Sequence, residues 1–125
     1  MKIRIKGNFV RFRLTQTEVS QLAQTGRVAE TTCFGLDQVF EYVLEIRDRI
    51  AGLQASFDGR TIAMYLPTEA AKTWPTDARI GFENQIEAAP GIFLNLLLEK
   101  DFTCLDDAAE DQSDNYPNPK LSEKP

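Results

Sequence analysis

The chain of 125 residues predicts a single α+β domain that is mostly β. Short runs in which apolar and polar residues alternate recur along the chain, with Gly- or Pro-containing turns between them. A shift of 52 positions, without a gap, superposes Phe12 on Met64 and Leu22 on Trp74. The alternation and the shift together predict a tandem pseudo-repeat with the order strand, strand, helix, strand, strand. We expect the two halves to form a small barrel or two packed sheets.

The first half opens with a predicted hairpin. Ile3 and Ile5 alternate with basic residues, as in a strand that buries one face. Gly7 and Asn8, which both tolerate a positive φ angle, supply the turn. Residues 9–14 alternate again and form the partner strand.

A short helix and a second pair of strands complete the first half. Thr15 suits the N-cap of a helix over residues 16–24, and Gly26 suits the left-handed C-terminus of that helix. Residues 27–34 are rich in Thr and Val, and residues 39–46 alternate, so both segments are predicted strands.

The second half repeats this order less regularly. Asp58 and Gly59 are the strongest hairpin-turn signal in the chain. Trp74 is expected to pack in the core rather than to stack on a ligand. The last strand is mostly apolar with weak alternation, which predicts burial on both of its faces. The predicted elements are strands at 53–57, 61–66, 79–86 and 92–99 and a helix at 68–74.

The composition changes near the end of the chain, which divides it into a domain and a tail. Residues 1–105 are expected to form one globular domain, with pseudo-repeat halves at about 1–50 and 53–102. Residues 106–125 are acidic, polar and proline-containing, and they hold too few apolar side chains to offset the entropy lost on ordering. We expect a flexible acidic tail, and the segment around Tyr116 is the part of it best suited to dock back onto the domain.

The composition also limits the chemistry that the protein can perform. The chain contains no histidine and carries a net charge of −5. The commonest general base and zinc ligand is therefore missing. Cys33 and Cys104 are expected to be reduced, partly buried thiols. The acids near Cys104 (Asp101, Asp106 and Asp107) match no established metal-binding loop. We expect no cofactor, no metal site and no catalytic residue.

The hydropathy pattern predicts a cytoplasmic protein. The sequence contains no run of about 18 apolar residues, the length that a membrane helix requires. Its start alternates charged and apolar residues and so lacks the continuous apolar core of a secretory signal. We expect no membrane partner.

The opening segment carries five basic residues and no acidic one, namely Lys2, Arg4, Lys6, Arg11 and Arg13. Strand alternation aims these side chains at the face opposite the apolar residues, where they could converge on a phosphate or another anionic partner. The alternative is a solvated outer face on which they pair with Glu41, Glu45 or acids of adjoining strands. The second half does not repeat the charges, which disfavours a symmetric reader of nucleic acid.

Several motifs resemble those of a small family of uncharacterised bacterial proteins. They are IKGN at residues 5–8, RFRLT at 11–15 and EV at 18–19, followed by ETTCF at 30–34 and KDFTCL at 100–105. The resemblance covers most of the chain. It implies a domain of unknown function, so it assigns no activity and no site residue.

The first hairpin and its helix also resemble, more distantly, the DNA-binding half of bacterial antitoxins and transition-state regulators. In that swapped-hairpin barrel a Gly-Asn-Ser sequence, an Arg, an apolar residue and a Pro precede the helix. Here Phe9 replaces the Ser and Thr15 replaces the Pro, whereas Pro67 stands at the equivalent place in the second half. The resemblance implies a barrel that two such units would close within one chain.

Three hypotheses of function follow. The first is a non-enzymatic cytoplasmic interaction module with a protein partner, because no catalytic, nucleotide or metal motif is present. The second is a nucleic-acid-binding regulator that acts through the basic hairpin. The third is an enzyme or binder for a small phosphorylated ligand held by Arg11 and Arg13.

Overall fold

The computed structural model describes residues 1–102 and 114–117. These residues form eight strands and two helices, in the order strand, strand, helix, strand, strand, which occurs twice. The elements are β1 (Lys2–Ile5), β2 (Phe9–Leu14), α1 (Gln16–Thr25), β3 (Arg27–Gly35), β4 (Gln38–Arg47), β5 (Gln54–Phe57), β6 (Thr61–Pro67), α2 (Thr68–Thr73), β7 (Gly81–Ala89) and β8 (Ile92–Lys100).

The strands form two four-stranded sheets that pack face to face. The first sheet has the order β1-β2-β8-β7 and the second has the order β3-β4-β6-β5. Each sheet joins a hairpin of one half to a hairpin of the other through a central parallel pair, β2 with β8 and β4 with β6. The described strands form no closed barrel. The expectation of an α+β, mostly β fold is confirmed in its form of two packed sheets.

Local sequence signals fix the first helix. The Thr15 side chain accepts a hydrogen bond from the Glu18 backbone N–H, and the Glu18 carboxylate accepts from the Thr15 backbone N–H. This capping box satisfies two of the N–H groups that a helix start leaves free. Gly26 ends the helix with φ at 81° and donates its N–H to the carbonyl of Leu22. Both predicted helix ends are confirmed to within a residue.

The core lies between the two sheets and under the helices. Phe12 and Met64 are fully buried, as are Leu22 and Trp74. The burial of Trp74 confirms its predicted place in the core, and its indole N–H donates to the carbonyl of Arg79 at 2.9 Å. The buried residues of the core are Val10, Phe12, Leu14, Val19, Leu22, Val28, Leu44, Leu53, Met64, Leu66, Ala71, Trp74, Leu96 and Leu98.

The gapless shift between the halves is wrong after the helices. It superposed Val28 on Ile80, and it would require Ile80 to be a core residue. Instead Ile80 is half exposed. In the first half Val28 pairs with the buried Leu44, and in the second half the corresponding pair is Phe82 with the buried Leu98. The second half therefore contains two more residues between its helix and its third strand.

Two expectations about burial are also wrong. β8 is not buried on both faces, because Phe93 on its outer face is 47% exposed and its burial otherwise alternates. Cys33 is exposed rather than partly buried, since it lies near the tip of the β3–β4 hairpin. Cys104 lies outside the described residues.

One segment of the predicted tail docks onto the domain. The Tyr116 backbone N–H donates to the Asp101 carbonyl, and the Tyr116 ring packs 5.7 Å from that of Phe102. Asp114 accepts hydrogen bonds from the backbone N–H groups of Gln16 and Thr17 at the start of α1. The Tyr116 segment, the part of the tail that the sequence marks as best suited to dock, thus contacts the domain. The rest of the predicted tail, 106–113 and 118–125, lies outside the described residues.

The connections give the molecule two different ends. In the first half α1 connects the end of β2 to the start of β3, and in the second half α2 connects the end of β6 to the start of β7. The open end of each hairpin therefore lies on the side of the helices. The four hairpin turns therefore lie together at the opposite end of the sheets. We call the two ends the helix end and the hairpin end.

Candidate functional site

Exposed apolar side chains are concentrated at the hairpin end. Among the described residues seven large apolar side chains are strongly exposed, and six of them lie at this end. The seventh, Ile80, lies at the helix end and is 50% exposed. The six are Ile5 (54% exposed), Phe34 (72%), Leu36 (96%), Phe57 (63%), Ile92 (51%) and Phe93 (47%). Single exposed apolar residues are ordinary, whereas a grouping at one end of a molecule is unusual and calls for an explanation.

A cleft opens between the two sheets at the hairpin end. Its volume is about 700 Å³. The floor is formed by core residues, and the rim by side chains next to the hairpin turns. Lining residues come from both sheets and from both halves of the chain: Ile5, Gly7, Val10, Phe40, Ala55, Ser56, Phe57, Ile62, Met64, Ala88 and Leu94.

The two short edge strands explain why the cleft is open. β1 and β5 have four residues each, whereas their neighbours are longer. Their last residues, Ile5 and Phe57, pair with Val10 and Ile62 on the inner face of each sheet. Beyond Ile5 and Phe57 neither sheet has an edge strand within residues 1–102 and 114–117 to cover the inner face. The inner faces stay accessible there, and the equivalent residues of the two halves face each other across the cleft.

The described lining of the cleft is almost entirely apolar. None of the lining side chains in the described part of the chain is titratable. Its one polar side chain, Ser56, shares a 3.0 Å hydrogen bond with the Tyr65 hydroxyl. A ligand in this cleft would gain free energy by removing apolar surface from water, at about 25 cal/mol per Å².

The predicted basic site lies elsewhere, on the outer face of the first sheet. Lys2 is directly opposite Arg13, and Arg4 is directly opposite Arg11, on β1 and β2. Lys6 lies in the hairpin turn and is exposed. The structure thus brings four of the five predicted residues into one block.

The expected carboxylate partners of this block were partly wrong. Glu41 and Glu45 lie on β4 in the other sheet, where Glu45 pairs with Arg27 at 3.2 Å. The acids near the block come instead from β8 and the residue after it. Glu99 is 3.7 Å from Arg11 and Asp101 is 3.3 Å from Lys2.

A buried cation marks the helix end. Lys100 is 5% exposed, and its ammonium group donates to the Asp77 carbonyl at 2.8 Å. The Tyr116 ring lies over it, with its centroid 5.0 Å from Nζ. Burial lowers the pKa of Lys100, while the Asp77 carboxylate acts in the opposite direction. This arrangement ties the docked tail segment to the core.

The cleft was not among the sites predicted from the sequence. Phe34 and Leu36 flank a glycine in a predicted turn, and such large apolar residues beside a turn were a signal for the exposed apolar surface of the hairpin end, although neither lines the cleft. By contrast, the same alternation that predicted the core also placed Ile5 there. Whether an inward-facing residue is covered depends on the length of the neighbouring strand, which no local pattern states.

The class of the protein follows from this architecture: it is a mostly β domain of two packed sheets with two helices at one end. Residues 1–120 match the model of a family of unknown function (DUF7009), and the chain belongs to that family. No curated protein and no solved structure matches the chain. Neither helix of the described part is long and apolar enough to span a membrane.

Proposed function

We propose that the protein is a non-enzymatic interaction module that binds an apolar segment of a partner protein at its hairpin end. The observation that carries the proposal is the grouping of six exposed large apolar side chains at the hairpin end, where two of them, Ile5 and Phe57, line the cleft of about 700 Å³. The cleft offers concave apolar pockets for anchoring side chains, as protein interfaces usually do. Its lack of titratable side chains supports binding rather than catalysis.

The extent of the apolar surface favours a protein over a small apolar ligand. A small molecule would fill the cleft but leave the hairpin tips uncovered. Phe34, Leu36 and Ile92 remain more than half exposed on those tips. A protein partner can cover the cleft and the tips together, within the roughly 800 Å² per partner that a standard interface buries.

Nucleic acid is less well supported as a partner. Arg11 and Arg13 both face the Glu99 carboxylate, and Glu83 and Glu87 lie on β7 of the same sheet face. The whole chain carries a net charge of −5, which repels a polyanion. The basic block is therefore small and bordered by acids.

Origin and location are also part of the proposal. We propose that the domain arose by tandem duplication in a bacterial protein, because the two halves share their element order and their strand pairing. We propose a cytoplasmic location, which the exposed thiol of Cys33 supports, since free thiols persist in reducing compartments.

The test uses one substitution at each end of the molecule. Ile5→Asp places a carboxylate on the cleft rim, and Ile80→Asp is its control at the helix end, with 54% and 50% of the side chain exposed. Full-length wild type and both variants are used to isolate partners from cells that produce the protein naturally. Each candidate partner is then purified and titrated against the three proteins by calorimetry.

A purified partner should bind wild type and Ile80→Asp equally. It should bind Ile5→Asp at least about tenfold more weakly, because binding would remove the new carboxylate from water. Equal binding to Ile5→Asp would refute the proposed site. Sedimentation of wild type alone gives the second check. Self-association that Ile5→Asp abolishes would show that the occupant is a second copy, and would overturn the proposal of a different partner.

A further inference from the structure

The outer face of the first sheet carries three guanidinium groups in neighbouring positions. Arg4 on β1 lies directly opposite Arg11 on β2, and Arg13 follows two residues later on the same strand face. Neighbouring strands are about 4.8 Å apart, and alternate residues on a strand about 6.8 Å apart. Like charges directly opposite in a sheet are destabilising. We call these three residues the arginine cluster.

The ion pairs of this cluster within the described part of the chain are long. Glu99 on β8 is its nearest carboxylate, with Oε1 3.7 Å from Arg11 Nη1 and 3.9 Å from Arg13 Nε. Both distances exceed those of a hydrogen bond. Arg4 makes no ion pair with any residue in 1–102 or 114–117. Among the described residues, Glu99 is therefore the one carboxylate within 4.0 Å of these three guanidinium groups.

Arg11 is the unusual member of the cluster. Its side chain is only 17% exposed, and its Nε is buried without a hydrogen-bond partner in the described structure. Glu99 Oε1 is buried without one as well. Burial lowers the pKa of Arg11, and the positive charges of Arg13 and Arg4 lower it further. The carboxylates of Glu99 and Asp101 raise this pKa but do not offset the lowering. Buried donors without acceptors are rare in proteins and call for an explanation.

We propose that the arginine cluster binds a phosphoryl group. A phosphate offers several oxygens and about two negative charges, so it can accept from three guanidinium forks at once, which a single carboxylate cannot. Leu97 lies beside Arg11 on β8, and Phe9 is the next residue on that face of β2. These two side chains supply an apolar border for an organic group that carries the phosphate. This site does not depend on the cleft at the hairpin end.

The test measures binding of pyrophosphate to the full-length protein by calorimetry at low ionic strength. Arg11→Gln removes the partly buried guanidinium. Arg27→Gln is the control, because it removes the same charge from the outer face of the other sheet, where Arg27 pairs with Glu45. Glu99→Gln removes the competing carboxylate. Circular dichroism verifies that each variant is folded.

We expect Arg11→Gln to weaken pyrophosphate binding by at least about tenfold, as expected for the loss of charge-assisted hydrogen bonds. Arg27→Gln should change pyrophosphate binding by less than about twofold. Glu99→Gln should strengthen pyrophosphate binding, because a neutral glutamine does not compete with the phosphate for the guanidinium groups. No binding to wild type, or equal losses in Arg11→Gln and Arg27→Gln, would overturn the proposal.

A second arm distinguishes the source of the phosphoryl group. A short oligothymidylate is titrated in place of pyrophosphate, at two salt concentrations. Weaker binding than pyrophosphate assigns the site to a small phosphorylated compound, which the net charge of −5 favours. Tighter and strongly salt-dependent binding that Arg11→Gln abolishes assigns it to a nucleic-acid backbone. Oligonucleotide binding that Arg11→Gln leaves unchanged refutes the cluster as the site.

Discussion

Phe57→Ala and Phe12→Ala make the same chemical change at an exposed and at a buried phenylalanine. Phe57 is 63% exposed on the cleft rim, whereas Phe12 is fully buried between the sheets. Full burial of a phenylalanine side chain is worth about 1.5–3 kcal/mol. The covered third of Phe57 should therefore contribute only about 0.5–1 kcal/mol to the free energy of unfolding. Phe12→Ala should cost about 3–5 kcal/mol, because it also leaves a cavity.

The larger share of Phe57 is available to a partner. Its exposed fraction corresponds to about 1–2 kcal/mol of binding free energy, or roughly a 5- to 30-fold change in the dissociation constant. Phe57→Ala should thus weaken the proposed complex while leaving the domain stable.

Urea denaturation of both variants and of wild type measures these differences in unfolding free energy. It is done at two protein concentrations, because self-association would make the result concentration-dependent. If Phe57→Ala destabilises the monomer as much as Phe12→Ala, Phe57 is covered in solution. The cleft would then be closed, and the argument for a partner at the hairpin end would fail.

Three further substitutions test local features of the fold. Gly81→Ala should cost about 3 kcal/mol or more of unfolding free energy in urea, because a Cβ there would lie 2.2 Å from the backbone carbonyl oxygen of Leu98; a loss below 1 kcal/mol would contradict that close approach. Thr15→Ala should cost about 1 kcal/mol in the same assay through loss of the helix cap, and an unchanged midpoint would argue against the capping box. The backbone N–H of Thr61, and then that of the preceding residue, donate to the Asp58 carboxylate and lower its pKa below the usual 3.8. That stabilisation is present above the usual pKa of an aspartate and is lost as pH falls through the folded-state pKa. Asp58→Ala should therefore lower the melting temperature at neutral pH, with a difference that shrinks on acidification; a difference that stays constant with pH would refute this origin.

Local signals in the sequence predicted the elements well. The capping box at Thr15 and the glycine at Gly26 act through hydrogen bonds and φ angles within a few residues, so a short window contains the information. The alternation in β2 likewise placed Phe12 in the core. Such features depend on nearest neighbours, and the structure confirms them.

Features that depend on distant residues were not predictable from the sequence. Arg11 was correctly placed on the outer face. The carboxylate nearest to it belongs to Glu99 on the parallel strand β8, which is distant from Arg11 in the sequence. The two additional residues before β7 follow Pro75 in a segment without periodicity, so the shift of 52 could not reveal them. The cleft depends on where β1 and β5 stop relative to other strands. Each of these requires knowledge of which strands pair.

The parallel pairing at the centre of each sheet has a consequence for synthesis on the ribosome. The parallel partner of β2 is β8, which is the last of the described strands, and the parallel partner of β4 is β6. In a nascent chain that ends before residue 92, β8 is missing and the edge of β2 has unpaired backbone N–H and C=O groups. Such an edge promotes aggregation. The domain can therefore be completed only after nearly all of it has left the exit tunnel, and neither half can be expected to fold if it is expressed by itself.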